Sequence, residues 1–209
     1  MFRLIRRWFI PVLIIISIVF LVVKVGPILT KGYDMFEAVI KEVPIKEKCA
    51  QIRSDAEYVP IHQISELFLE KVIESEDRRF YEHKGINLSS TVRAFIKNIQ
   101  AGSHVEGGSS ITQQLAKNMY FTFEKRYERK VAELLVAFEL EDQLTKDEIL
   151  ELYCNIAYFG EGAYGIEEAA RHYYGVSAKD LNAEQSDALV KTLKIPNYYN
   201  PNKLNKKDN

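Results

Sequence analysis

From Trp8 to Val23 every residue except Pro11 and Ser17 is strongly apolar, and counting through Lys24 and Gly26 to Leu29 gives the ~20 residues that cross a bilayer. This run commits the first part of the chain to a membrane and leaves the rest to build a domain beside it. A cleaved signal peptide competes, because a basic start and an apolar middle suit both. No small-x-small cleavage site follows, and the run is long for a signal sequence, which favours an uncleaved anchor. Arg3, Arg6 and Arg7 ahead of the run place the N-terminus in the cytoplasm and the rest of the chain on the outer face of a cell membrane. Lys24, Lys31 and Lys41 on the other flank weigh against that orientation, although Lys24 can snorkel to the headgroups.

At 209 residues, with 47% apolar and 11% aromatic content, the chain suits one domain with an appendage and a sizeable buried core. Five bases precede the first acid at Asp34; without them 23 bases of the 28 remain against 29 acids, a net charge of -6 beyond the anchor. That balance excludes a whole-domain basic footprint, so no nucleic-acid partner is expected. The cysteines, Cys49 and Cys154, show no metal-ligand spacing and no disulfide framework. Cys154 falls in the helical pattern EILELYCN, where a small inert hydrophobe is expected, and a single cross-link to Cys49 stays open.

Beyond the anchor the apolar periodicity is helical. Ile64, Leu67, Phe68, Val72 and Ile73 form one stripe ending before Glu76; Val92, Phe95, Ile96 and Ile99 form a second. A glycine-rich break leads to a third helix marked by Ile111, Leu115 and Met119, with Ser109 or Ser110 placed to cap it. Val131, Leu134, Leu135 and Phe138 share one face of a longer helix, and Thr145 with Glu148 forms a capping box for the next. Helices over 166–174 and 183–194 follow, the second stopping before Pro196. No internal repeat is visible, and the polar ending from residue 200 is expected to fray.

Several groups could carry chemistry. Glu76 stands just past an apolar helix face beside Phe80 and Tyr81, where desolvation raises a carboxylate toward useful acid/base values; a solvated helix end is the plainer reading. Gly107 and Gly108 followed by Ser109, Ser110 and Thr112 open a helix whose free N–H groups and hydroxyls can hold an anion. Gln113 and Gln114 must point to different faces, so one of them can bond a sugar or phosphate. Lys117, then Lys125, Arg126, Arg129 and Lys130 just before Glu133, would suit a diphosphate; alternatively they form a solvated face with weak pairs such as Arg129 to Glu133. Tyr120, Phe121 and Phe123 suit a membrane interface or a core.

Taken in order, EDRRFYEHKG (76–85), GGSSITQQLAKN (107–118), RKVAE (129–133), KDEILELYCN (146–155) and FGEGAYGIEEAARHYYG (159–175) resemble the five signature motifs of the peptidoglycan glycosyltransferases, glycosyltransferase family 51. The resemblance implies an all-α, lysozyme-like fold with a larger head lobe and a smaller membrane-facing jaw lobe. It implies a membrane enzyme that polymerises lipid II into β-1,4-linked glycan strands and releases undecaprenyl pyrophosphate. On it, Glu76 is the general base toward the acceptor 4-hydroxyl. Glu133 assists at the pyrophosphate, directly or through a divalent cation such as Mg or Mn; no cofactor is otherwise required. Arg93, Ser109, Gln113, Gln114, Lys117, Arg126, Arg129, Lys130 and Asn155 line the substrate, whereas Asp77, Phe80, His83 and Gly85 shape the loop after the base. The implied partners are lipid II, the growing strand, membrane lipid and other cell-wall synthases.

Departures from the family pattern are Ser110 for a usual threonine, Lys125 for a common arginine, Ala132 at an often basic position and Cys154 for a usual leucine. No Ser-x-x-Lys or Lys-Thr-Gly occurs, so a monofunctional enzyme is expected. Residues 1–31 are expected to form the cytoplasmic N-terminus and anchor, 32–60 a linker or jaw-proximal segment, 61–201 the glycosyltransferase domain and 202–209 a polar tail. A peptidoglycan-cleaving lytic transglycosylase or lysozyme-like hydrolase, and a non-catalytic scaffold of a wall-building complex, are the rival readings. Retention of both Glu76 and Glu133 speaks against the scaffold.

Overall fold

The computed structural model of the chain describes residues 2–103, 107–121 and 126–204, the side chains of 2–8, 95 and 204 excepted. Phe123 and Lys125 therefore lie outside the described residues, as do the side chains of Arg3, Arg6, Arg7 and Phe95. Helix α1, Phe2–Glu42, is one uninterrupted rod. Its segment from Phe9 is long and apolar enough to cross a membrane, and Phe9, Leu13, Ile16, Phe20 and Val23 are all more than half exposed.

The same rod continues beyond its apolar part and packs on α6 (Tyr127–Gln143). Gly32 makes the approach possible: a Cβ there would stand 2.5 Å from the Val131 Cβ and 2.8 Å from the Glu128 carbonyl oxygen. Residues 32–60 thus run through the end of α1 and then α2 (Ile45–Arg53), whose Ile45 and Cys49 are in the core.

The remaining helices are α3 (Glu66–Glu76), α4 (Leu88–Ala101), α5 (Ile111–Tyr120), α7 (Lys146–Ile156), α8 (Ile166–Tyr174), α9 (Ala183–Lys194) and the single turn α10 (Pro201–Leu204). Among the described residues the β pairing is a lone bridge between Tyr158 and Tyr164, so the domain is all-α. Local signals set the ends. Ser110, Thr145 and Asn182 each form a capping box with the residue three positions on, and α9 stops before Pro196. Phe68 and Val72 of α3, Leu115 of α5, Val136 and Leu140 of α6, Leu152 of α7 and Phe159 of the loop after α7 meet in one core.

Two expected core faces are corrected. In α6 the buried face is Arg129, Ala132, Glu133, Val136, Ala137 and Leu140, whereas Phe138 is exposed. The stripe Val131–Leu134–Leu135–Phe138 is only partly covered because α1, rather than the core, lies over Val131. In α4 the stripe itself is turned outward, with Val92, Ile96 and Ile99 exposed; Ala94 is buried, next to Gly108. Cys49 and Cys154 are both free and buried, in keeping with a packing role for Cys154.

Candidate active site

Glu76 is the last residue of α3, where the helix stops presenting side chains to the core. It is half-buried. Its Oε2 accepts a hydrogen bond from Gln114 Nε2 at 3.0 Å, and its Oε1 accepts one from the Ser75 hydroxyl at 3.3 Å. Gln114 Oε1 in turn accepts from the Tyr153 hydroxyl of α7 at 3.3 Å.

The next residue, Asp77, is buried and ties four segments together. It accepts from His83 Nε2 at 2.8 Å, from Asn87 Nδ2 at 3.1 Å and from the Ile111 backbone N–H at 3.2 Å. Asn87 also caps α4 through the Ser90 N–H. The Ser110 hydroxyl donates to the Gly85 carbonyl at 2.6 Å, and Gly85 itself has φ 77°, a conformation that favours glycine. Phe80 is fully buried with the Lys146 ammonium 4.5 Å from its ring centroid. These groups brace the loop that follows Glu76.

A second carboxylate lies in different surroundings. Glu133 is 1% exposed, forms an ion pair with Arg129 one turn earlier, and accepts from Lys130 Nζ at 2.7 Å. The plainer reading of Arg129 and Glu133 as a weak solvated pair is therefore corrected: both are buried by the core, and breaking such a pair leaves a charge out of water. Lys117 bridges the two regions. Burial and the neighbouring Arg129 hold its ammonium below the usual lysine range, while Glu76 pulls it the other way. Half of the Lys130 side chain is exposed, yet lost hydration, Arg129 and Lys117 push its ammonium down to about 8. Glu76, Gln114, Lys117, Arg129, Lys130 and Glu133 thus form one connected electrostatic group.

Other candidates are placed elsewhere. Gln113 closes the capping box with Ser110, so its carbonyl is committed to the Ser110 N–H. Ser109 is half-buried one residue before that cap, and Arg126 is exposed at the start of α6. Asn155 clamps Val59: its Oδ1 accepts from the Val59 N–H at 2.8 Å and its Nδ2 donates to the Val59 carbonyl at 2.9 Å. Arg93 lines a groove of about 820 Å³ on the outer side of α4, with Arg79, His83 and Lys97. That groove contains neither carboxylate. A smaller one, about 660 Å³, is likewise lined by neither carboxylate, but its wall includes Lys117, which feels the charge of Glu76, together with Asn118, Tyr58, Asn155, Tyr158 and Tyr164, and the chemistry points there.

Sequence reasoning missed Tyr153 and Asn87. Tyr153 reads as one more apolar position of α7, although a fully buried tyrosine hydroxyl needs a partner and so signals a polar neighbour. Asn87 precedes a helix and is recognisable as a cap.

Fold and site together define an all-helical domain on a membrane-length helix, with one carboxylate half-buried beside neutral donors and another locked among cations. The chain belongs to the transglycosylase family, whose description matches residues 43–209. It is 45% identical over 145 residues to penicillin-binding protein 1F of Bacillus subtilis (strain 168), covering 69% of this chain and 20% of that protein. It is 39% identical over 155 residues to the biosynthetic peptidoglycan transglycosylase of Janthinobacterium sp. (strain Marseille), covering 74% and 67%. To the Bordetella avium (strain 197N) protein of the same name it is 44% identical over 146 residues, covering 68% and 61%. The chain therefore spans about a fifth of the Bacillus relative and about two thirds of the Janthinobacterium one.

Proposed function

We propose that this domain polymerises lipid II into β-1,4-linked glycan, as the names of its relatives and the arrangement of its charges both suggest. The observation that carries the reading is the link through Lys117 between a half-buried, hydrogen-bonded Glu76 and the cations Arg129 and Lys130. Glu76 takes the proton from the 4-hydroxyl of the acceptor sugar, and the oxygen attacks the anomeric carbon of the donor. The bond to undecaprenyl pyrophosphate breaks and the linkage inverts from α to β. Negative charge grows on the leaving oxygen, where cations fixed in advance stabilise it without reorganising. Lys117, Arg129 and Lys130 hold the pyrophosphate, and the groove beside Lys117, with Tyr158 and Tyr164 in its wall, receives sugar.

Glu133 serves this site by fixing the cations. Both of its oxygens already face a cation, and among the described residues no cluster of three His, Cys, Asp or Glu side chains surrounds it. This donor set does not suit a divalent metal, and no step is routed through one.

The anchor supports the same reading. Val23, near the end of the apolar run, and Gly32, which meets α6, are separated by about 14 Å of helix at 1.5 Å per residue. The helix bearing Arg129 and Lys130 is thus held within reach of headgroups, where a lipid-linked pyrophosphate resides, and the domain would sit on the outer face of the membrane.

Purified protein given labelled lipid II should yield a product that lengthens and is then digested by lysozyme. Shortening of preformed glycan would instead establish a cleaving enzyme. Glu76→Gln should lower polymerisation about 10³-fold while leaving the melting temperature unchanged; full activity in that variant removes Glu76 as the base.

A further inference from the structure

A glutamine side chain can present either its carbonyl or its amino group to a neighbour, and only the amino group stabilises a carboxylate. The orientation of Gln114 is therefore a choice with a chemical consequence. If Gln114 Oε1 faced Glu76, two acceptors would meet and the carboxylate would be pushed toward its protonated form, useless as a base. The carboxylate, which can only accept, itself disfavours this flip, and a donor on the other side of Gln114 adds to the preference. The Tyr153 hydroxyl, on a side chain only 2% exposed, points at Gln114 Oε1 from α7 at 3.3 Å. Gln114 Nε2 is then left facing Glu76 Oε2 at 3.0 Å.

We propose that Tyr153 is a positioning residue for the reaction: its hydroxyl fixes the Gln114 amide so that an N–H always faces Glu76, leaving the other carboxylate oxygen to take the acceptor proton. This rests on the reading of Glu76 as the base. Tyr153 touches no substrate and acts wholly through Gln114. Three helices converge to make the contact: α3 supplies the carboxylate, α5 the amide and α7 the hydroxyl. The other groups facing Glu76 are the Ser75 hydroxyl on its own helix and Lys117 on α5, with Arg129 of α6 behind Lys117. None of these is bonded to the Gln114 carbonyl oxygen, whose donor in the observed orientation is the Tyr153 hydroxyl. Burial, reinforced by the charge on Glu76, keeps the Tyr153 phenol well above the usual tyrosine range, so the hydroxyl stays a donor throughout the working pH interval.

The test is the acidic limb of kcat/KM for lipid II, which reports the base of the free enzyme. Tyr153→Phe removes one oxygen and should melt close to the parent temperature. Its kcat should fall about 5-fold with KM nearly unchanged, and its acidic limb should move up by about 0.5 to 1 pH unit as Gln114 becomes free to flip. Gln114→Met, in which Tyr153 is untouched, should move the same limb in the same direction. The double variant should be no worse than Gln114→Met alone, since both changes remove one interaction.

A Tyr153→Phe enzyme with the parental acidic limb overturns the relay, as does an independent further loss in the double variant. Should Tyr153→Phe fail to fold, an unmoved limb in Gln114→Met overturns it equally. Glu76→Gln separates this from the underlying reading: polymerisation with an unchanged limb in that variant sinks Glu76 as the base. A dead Glu76→Gln beside an unmoved Tyr153→Phe sinks the relay alone.

Discussion

Glu76 and Glu133 are the same residue type, yet their neighbours place them in opposite surroundings. Glu76 is half-buried and held by an amide and a hydroxyl, both neutral donors. Glu133 is fully buried and clamped by Arg129 and Lys130, and protonating it would break two ion pairs. A carboxylate bonded to neutral groups suits proton transfer, whereas one locked among cations suits holding those cations for an anion to find. Only the charge of the partners and the degree of burial divide the two roles.

The largest effect that could break this contrast is on stability. Glu133→Gln keeps the shape but breaks the buried ion pair with Arg129 by removing one of its charges, so unfolding free energy should fall by about 3 to 5 kcal/mol, read by denaturant titration. Glu76→Gln should change stability hardly at all. Similar losses in the two variants would erase the distinction. Asp77 provides a third, intermediate carboxylate, buried like Glu133 but surrounded by donors from His83, Asn87 and the Ile111 backbone. In Asp77→Asn one of those donors faces an amino group, and the loss should be about 2 kcal/mol. A value equal to that of Glu133→Gln would mean that burial alone, rather than the lost ion pair, sets the cost.

How far these environments could be read from the sequence depends on the distance over which each is decided. The capping box of Thr145 and Glu148 and the helices over 166–174 and 183–194 are written in neighbouring residues, and the structure has them where the sequence puts them. The grouping of Glu76 with Gln114, Lys117 and the cations of α6 was legible because the motifs occur in a familiar order. The buried face of α6 was not, since α1, almost 100 residues earlier in the chain, covers Val131 while the core takes Val136 and Ala137. The capping-box spacing from Ser110 marks Gln113 for the helix start, but no local signal pairs Gln114 with Glu76. Asn155 lines the groove beside Lys117, but nothing near it in the sequence says that its amide also clamps the distant Val59. Long-range partners decide all of these, and periodicity carries no record of them.

The smallest and sharpest test concerns Lys130, the member of the cation group whose charge can be switched without mutation. Its ammonium is pushed down to about 8, against a usual value of 10.5, first by lost hydration and then by Arg129 and Lys117. As pH rises through about 8, Lys130 turns neutral in the folded protein while still charged in the unfolded chain. The unfolded state then binds more protons, so this group's contribution to stability rises with pH up to the free-lysine value and opposes folding in full below about 8. Binding of a pyrophosphate should move the other way, because one of its cations is lost: KM for lipid II should rise about 2- to 5-fold over that interval. Lys130→Arg keeps its charge there and should flatten the alkaline rise in KM. A flat parental profile, or a rise that persists in Lys130→Arg, would separate Lys130 from the anion. Opposite movements of stability and binding with the same proton are what a cation strained for the sake of a ligand must show, whereas a lysine kept only for its bond to Glu133 gives no reason for KM to follow its charge.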